Sequence, residues 1–190
     1  MSTAESLQTQ WLEGVRLVKA CNYEQAFYKF KAIVDKDPNC APALAGMANV
    51  YYETYQRRKA WEYAQKAAEL LPRHSFTLGL ALQCALSLGK FDEAKQYAKK
   101  AYKLAPKSAD GIKSYLLYLQ HTGDMPKVER LARELLAVDK SVLTRIAAGG
   151  ALQTIGRIPK AIRVYRQAIT DVLATNSPPP PSHIKGGKCS

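Results

Sequence analysis

The sequence predicts an all-α protein, an α-solenoid of five stacked helix hairpins, on three observations. Pro38, Pro72 and Pro106 stand 34 residues apart. With that register, small and large apolar residues fall into fixed columns along the chain. Glycines recur at one point of the repeat, Gly89, Gly123 and Gly156. Fixed-period self-similarity of this length is the mark of a repeat array, in which each unit buries its apolar face against its neighbours.

The first pair, about 7–40, carries Gly14 and Leu17 on its first helix and Ala26, Phe30 and Ile33 on its second, ending at Pro38. Ser2 and Glu5 have capping-box spacing, so the first helix is expected to begin almost at residue 1. The second pair, 41–74, repeats this with Ala48 and Tyr51, then Ala60, Ala64 and Ala67, ending at Pro72. In the third, 75–108, the columns are Leu82, Ala85, Ala94, Ala98, Ala101 and Pro106. The fourth, 109–141, has Leu116, Leu119, Val128, Ala132 and Leu135, with Lys140 in place of the proline. The fifth, 142–174, has Gly149, Leu152, Ala161, Tyr165 and Ala168, with Leu173 at the proline position after a one-residue deletion.

The second-helix columns are spaced i, i+4, i+7, one face of a 3.6-residue period. Small residues there let two helices approach closely, and large ones fill the space between pairs. Gly89, Gly123 and Gly156 suit reversals that need φ > 0, and Pro126 and Pro159 follow at the start of the next helix, where a missing N–H costs nothing. The recurring prolines stop the second helices. The last helix is expected over about 159–173. Residues 175–190, with Pro178 to Pro181, are expected to form a disordered tail.

The period and columns resemble the tetratricopeptide repeat from about Leu7 to Leu173. Repeats three (Leu88-Gly-Lys-Phe-Asp-Glu-Ala94, to Pro106) and one (Asn22-Tyr-Glu-Gln-Ala26, with Phe30 and Pro38) are close to the family pattern. Departures are Tyr55 and Arg57 where a Gly and an aromatic are usual, and Gln10, Leu44, Leu78, Ile112 and Arg145 where the first helix usually opens on an aromatic. The resemblance implies a right-handed superhelix whose first helices line a concave groove. In the family's co-chaperones, a basic and amide clamp there grips carboxylates. The corresponding Trp11, Val15, Gly46, Phe76 and Leu80 offer no such clamp. One repeat later, Ala45, Asn49, Leu80, Asp110 and Ser114 keep one amide and add an acid.

No catalytic motif is present: no G-x-S-x-G, no phosphate loop, no H-E-x-x-H, and three scattered histidines, His74, His121 and His183. Gly149-Gly150 reads as close packing. Cys21, Cys40, Cys84 and Cys189 form no C-x-x-C pair and no metal-ligand spacing, so free thiols and no metal or cofactor are expected. No apolar run approaches the ~20 residues of a membrane span and no signal peptide is seen, which points to the cytoplasm.

Three surfaces are candidates for binding. A second stripe on the first helices holds Trp11, Val15, Val18, Asn49, Tyr52, Gln83, Lys113, Leu117, Gln120 and Gln153, a mixed floor suited to a peptide with apolar anchors. The formal charge of +12 is concentrated in the C-terminal half: residues 1–95 hold 12 Lys/Arg and 10 Asp/Glu, and residues 96–190 hold 16 and 6. Lys127, Arg130 and Arg133 align one repeat from Lys160, Arg163 and Arg166, giving a basic ridge extended by Lys100 and Lys103. Such a ridge is either a solvated face that keeps the protein soluble or a contact for an acidic protein, RNA or an anionic membrane surface, with RNA the weaker for lack of interleaved aromatics. The last helix exposes Ile162, Ile169 and Val172 with nothing amphipathic after it, an end that would dock on a partner or a second copy. The expected function is a non-catalytic adaptor. An RNA-associated subunit comes second and a co-chaperone without a carboxylate clamp third.

Overall fold

The computed structural model describes residues 3–176, with side chains from residue 7 to residue 174. Among the described residues ten helices follow one another: α1 (Thr3–Lys19), α2 (Tyr23–Lys36), α3 (Ala41–Glu53), α4 (Arg57–Leu70), α5 (Ser75–Ser87), α6 (Phe91–Leu104), α7 (Ala109–Thr122), α8 (Met125–Val138), α9 (Val142–Thr154) and α10 (Ile158–Asn176). They form five antiparallel hairpins in the expected register. The expected capping residue Ser2 lies outside the described residues.

The columns make the core. Ala26, Ala60, Ala64, Ala67, Ala94, Ala98, Ala101, Val128, Ala132 and Leu135 are fully buried. Each second helix packs against both first helices beside it, as α2 does with α1 and α3. Consecutive first helices also touch, whereas among the described residues no two consecutive second helices do. The first helices therefore stand on the inner, concave side. Where a column residue is large, glycine makes room: Phe30 lies between Gly14 and Gly46, where an added Cβ would come within 2.7 and 2.6 Å of its ring. Tyr165 closes on Gly149 in the same way, at 2.6 Å, which is the close packing expected of that glycine.

The turn inside each hairpin holds one residue in the left-handed region, and the column is complete: Cys21 (φ 58°), Tyr55 (61°), Gly89 (71°), Gly123 (78°) and Gly156 (74°). Cys21 and Tyr55 thus adopt the conformation their position demands without glycine's freedom to do so. Turns between hairpins follow the prolines, except after α8. There Asp139 takes over: its Oδ1 accepts from the Ser141 backbone N–H at 2.8 Å and its Oδ2 from the Ser141 hydroxyl at 2.9 Å and from the Thr144 hydroxyl. Ser141 in turn caps α9 through the Thr144 N–H at 3.3 Å.

One boundary needs correction. Thr175 and Asn176, assigned to the tail, are the last residues of α10, which runs three residues beyond the expected Leu173. No breaker precedes Pro178, so the helix continues toward the residue before it. The remainder of the expected tail, 177–190, lies outside the described residues.

Candidate functional site

The groove is deepest at its N-terminal end. A cleft of about 520 Å³ is lined by Trp11, Val15 and Val18 of α1, by Ala45, Gly46 and Asn49 of α3, by Leu71 and His74 before α5, and by Phe76. Its depth follows from the glycine column: with no side chain at Gly46, the Phe30 ring forms the floor. A second cleft of about 290 Å³ continues toward α7, with Gly79, Gln83, Asp110, Lys113, Ser114 and Leu117 on its walls. Asn49 and Phe76 line both clefts, so the two adjoin along the inner side of the first helices. Phe76 is 56% exposed and stands at their junction.

The structure brings together seven of the ten expected groove residues: Trp11, Val15, Val18, Asn49, Gln83, Lys113 and Leu117. Tyr52, Gln120 and Gln153 lie outside both clefts. Tyr52 is half-buried, which raises its phenol pKa by desolvation. Gln153 is held locally, its Oε1 accepting from the Tyr165 hydroxyl at 3.2 Å. Lys113 lies 3.8 Å from the Asp139 carboxylate, so its charge is partly met. Phe76, His74, Asp110 and Ser114 complete the walls. The sequence places Phe76, Asp110 and Ser114 only at clamp positions; extending the stripe by one turn, from Gly79 back to Phe76 and from Lys113 toward Asp110, identifies the first two as lining.

A separate cleft of about 330 Å³, between α2 and the end of α3, is lined by Tyr23, Phe27, Tyr28, Tyr51 and Lys59. Its aromatics already pack edge to face, Phe27 on Tyr28 at 5.6 Å and on Tyr51 at 5.8 Å, with Lys59 5.4 Å over the Tyr51 ring.

The six cations of the ridge are all exposed, but three are spoken for. Lys127 pairs with Asp124 at 2.6 Å, which raises the lysine pKa and lowers that of the aspartate. Arg130 faces Glu134 at 3.6 Å. Lys160 and Arg157 converge on Glu129, whose carboxyl pKa they lower. Arg133, Arg163 and Arg166 form no ion pair among the described residues. Arg133 and Arg163 border a cleft of about 290 Å³ between α8 and α10, together with Glu129 and the apolar Leu136, Leu152 and Val164.

At the C-terminal end, Ile162 is 45%, Ile169 60% and Val172 39% exposed. Cys84 is buried and its thiol is pushed up to about 12 by desolvation, so it offers no thiolate. Among the described residues no cluster of His, Cys, Asp and Glu could hold a metal ion, and no helix is long and apolar enough to cross a membrane.

Residues 77–108 match the family model for the tetratricopeptide repeat. The Arabidopsis thaliana protein CTR9 homolog is 26% identical over 102 residues, 53% of this chain but 9% of that protein. Among solved structures, a thermophilic TPR protein of Thermus thermophilus superposes with a TM-score of 0.78 at 20% identity, covering 86% of this chain and 90% of its own. A chain of the APC/C hetero-tetramer Cut9–Hcn1 gives 0.74 at 18%, covering 90% of this chain and 34% of that one. YrrB, a TPR protein with an unusual peptide-binding site, gives 0.57 at 17%, covering 86% and 84%. The hairpin of the matched repeat recurs five times in one register among the described residues, so the chain has the fold of tetratricopeptide-repeat proteins.

Proposed function

We propose that this protein is a non-catalytic adaptor that holds an extended or helical segment of a partner protein in the groove along α1, α3, α5 and α7. The observation that carries this reading is that two clefts adjoin along the first helices, with Asn49 and Phe76 lining both. One end presents Trp11, Val15, Val18 and the Phe30 floor, which suit an apolar anchor. The other presents Gln83, Asp110, Lys113 and Ser114, which suit main-chain and polar side-chain contacts. Solved relatives described as having a peptide-binding site and as part of a hetero-tetramer support an interaction role. A cytoplasmic setting belongs to the same proposal.

Selection of a random peptide library on the full chain tests it. Selected peptides should share an apolar anchor and should lose roughly tenfold or more in affinity, about 1.4 kcal/mol, against Phe76→Ala or Val15→Lys with helicity and Tm unchanged. Peptides that bind those variants as well as the parent would overturn the assignment. Partner capture from extract that disappears on nuclease treatment would favour the RNA-associated reading instead.

A further inference from the structure

Among the described residues, the second helix of the last hairpin has no helix on the face that the other four second helices have covered. On α2, α4, α6 and α8 the face turned toward the next hairpin is covered by that hairpin's first helix. The residues equivalent to Ile169 are Val34, Ala68, Tyr102 and Leu136, all buried or half-buried, whereas Ile169 is 60% exposed. The residues equivalent to Ile162 are Phe27, Trp61, Lys95 and Glu129; the two apolar ones are buried or half-buried, and the exposed Lys95 is charged. Trp61 is 9% exposed and Ile162 45%. Ile158, Ile162, Tyr165 and Ile169 are spaced 4, 3 and 4 apart and form one stripe along α10. Such a face, already covered four times in this chain by a helix, has the shape to take a fifth.

Charge selects which helix. Arg166 lies on the flank of the stripe, and Arg163 stands further round α10, on the outer side that borders the cleft with α8; both are exposed and without an ion pair among the described residues. Asp171, the one carboxylate of α10, is held by Arg145 of α9 at 2.8 Å. We propose that the exposed face of α10 docks an amphipathic helix of a partner protein whose apolar stripe is flanked by carboxylates. Two other occupants fit less well. A second copy packed antiparallel on the same stripe about Tyr165 would bring the Arg166 side chains of both copies near the two-fold axis, where like charges repel. RNA would find cations beside aliphatic side chains, with no exposed aromatic on α8 or α10 to stack on a base. This proposal is independent of the groove, which lies along the first helices.

The test uses two fluorescein-labelled synthetic peptides with the same leucine stripe, one flanked by glutamates and one by lysines, titrated against the full chain by anisotropy. The glutamate peptide should bind, more weakly as salt rises. Its affinity should fall roughly tenfold or more in Arg163→Glu/Arg166→Glu, and the lysine peptide should gain affinity for that variant. Ile162→Asp/Ile169→Asp should abolish binding of both peptides with circular dichroism and Tm unchanged, since both positions are exposed. Phe76→Ala should leave it untouched. Equal binding of the two peptides, or of neither, overturns the proposal. So does a dimer by light scattering that Ile169→Asp dissociates, binding that emerges only on removal of 177–190, or capture of a labelled oligouridine in place of the peptide.

Discussion

Phe30 and Tyr165 occupy the same column at opposite ends of the array, and each meets a glycine on the first helix of its own hairpin. Their surroundings nevertheless differ. Phe30 is closed on the other side by Gly46 of the following hairpin and is 1% exposed. Tyr165 has only Gly149 beneath it, remains half-buried, and directs its hydroxyl to Gln153 at 3.2 Å. The same aromatic–glycine arrangement is therefore fully enclosed at one end and half-buried at the other. What distinguishes them is the neighbour, as expected of a fold stabilised by nearest-neighbour contacts.

The comparison can be broken by truncation. Phe30→Ala should cost about 3–5 kcal/mol, the range for removing a fully enclosed aromatic. Tyr165→Ala should cost less than about half of that, because its outer side loses nothing to a cavity. Chemical denaturation of the two variants measures both. Equal losses would mean that the end of α10 is as well packed as the interior of the array, and would also remove the open face proposed above.

The same dependence on neighbours explains how much is legible in the sequence. Repeat period, hairpin register and buried columns depend on residues 34 apart along the chain, and the sequence displays those directly. Cys21 and Tyr55 are harder, because a left-handed residue that is not glycine carries no signature of its own; only the column shared with Gly89 reveals it. In the ridge, the pairs Lys127–Asp124 and Arg130–Glu134 are legible at spacings of three and four, but the one at Lys160 is not. Glu129 does not align with the cations on its own helix, and it reaches Arg157 and Lys160 some 28 to 31 residues on, across a hairpin boundary. Spacing along one helix cannot show a pairing of that kind. Phe76 escapes the groove stripe because the stripe begins one turn too late.

The turn column sharpens the contrast between hairpins on a smaller scale. Left-handed backbone costs a non-glycine residue about 1–2 kcal/mol, partly offset by the greater unfolded-state entropy of glycine. Tyr55→Gly should therefore raise stability by up to about 1 kcal/mol, since the Tyr55 side chain is 82% exposed and contributes little packing. Gly123→Ala should lower it by a similar amount, with open space around the new methyl group and backbone strain as the only cost. Thermal melts of the two variants should move in opposite directions; a destabilised Tyr55→Gly would show that the tyrosine is held by contacts and not strained.

The smallest effect separates the fourth hairpin from the first three, whose exits are set by proline. Asp139 replaces that covalent constraint with hydrogen bonds, first from the Thr144 hydroxyl, then from the Ser141 backbone N–H and hydroxyl, with Lys113 adding attraction. Together these hold its carboxyl at about 2. An unfolded aspartate titrates near ~3.9. As pH falls between those values the unfolded chain takes up the proton first, so the stabilisation by ionised Asp139 is complete above about pH 4 and is lost toward pH 2. The stability gap between the parent and Asp139→Asn should accordingly be widest above pH 4 and narrow on acidification. Denaturant midpoints across that range measure it, with Asp35→Asn, an exposed aspartate paired only with Lys31 of its own helix at 2.6 Å, as the comparison. A gap for Asp139→Asn that stays constant from neutral pH to pH 2 would mean that the turn is held by shape alone, as it is after Pro38, Pro72 and Pro106.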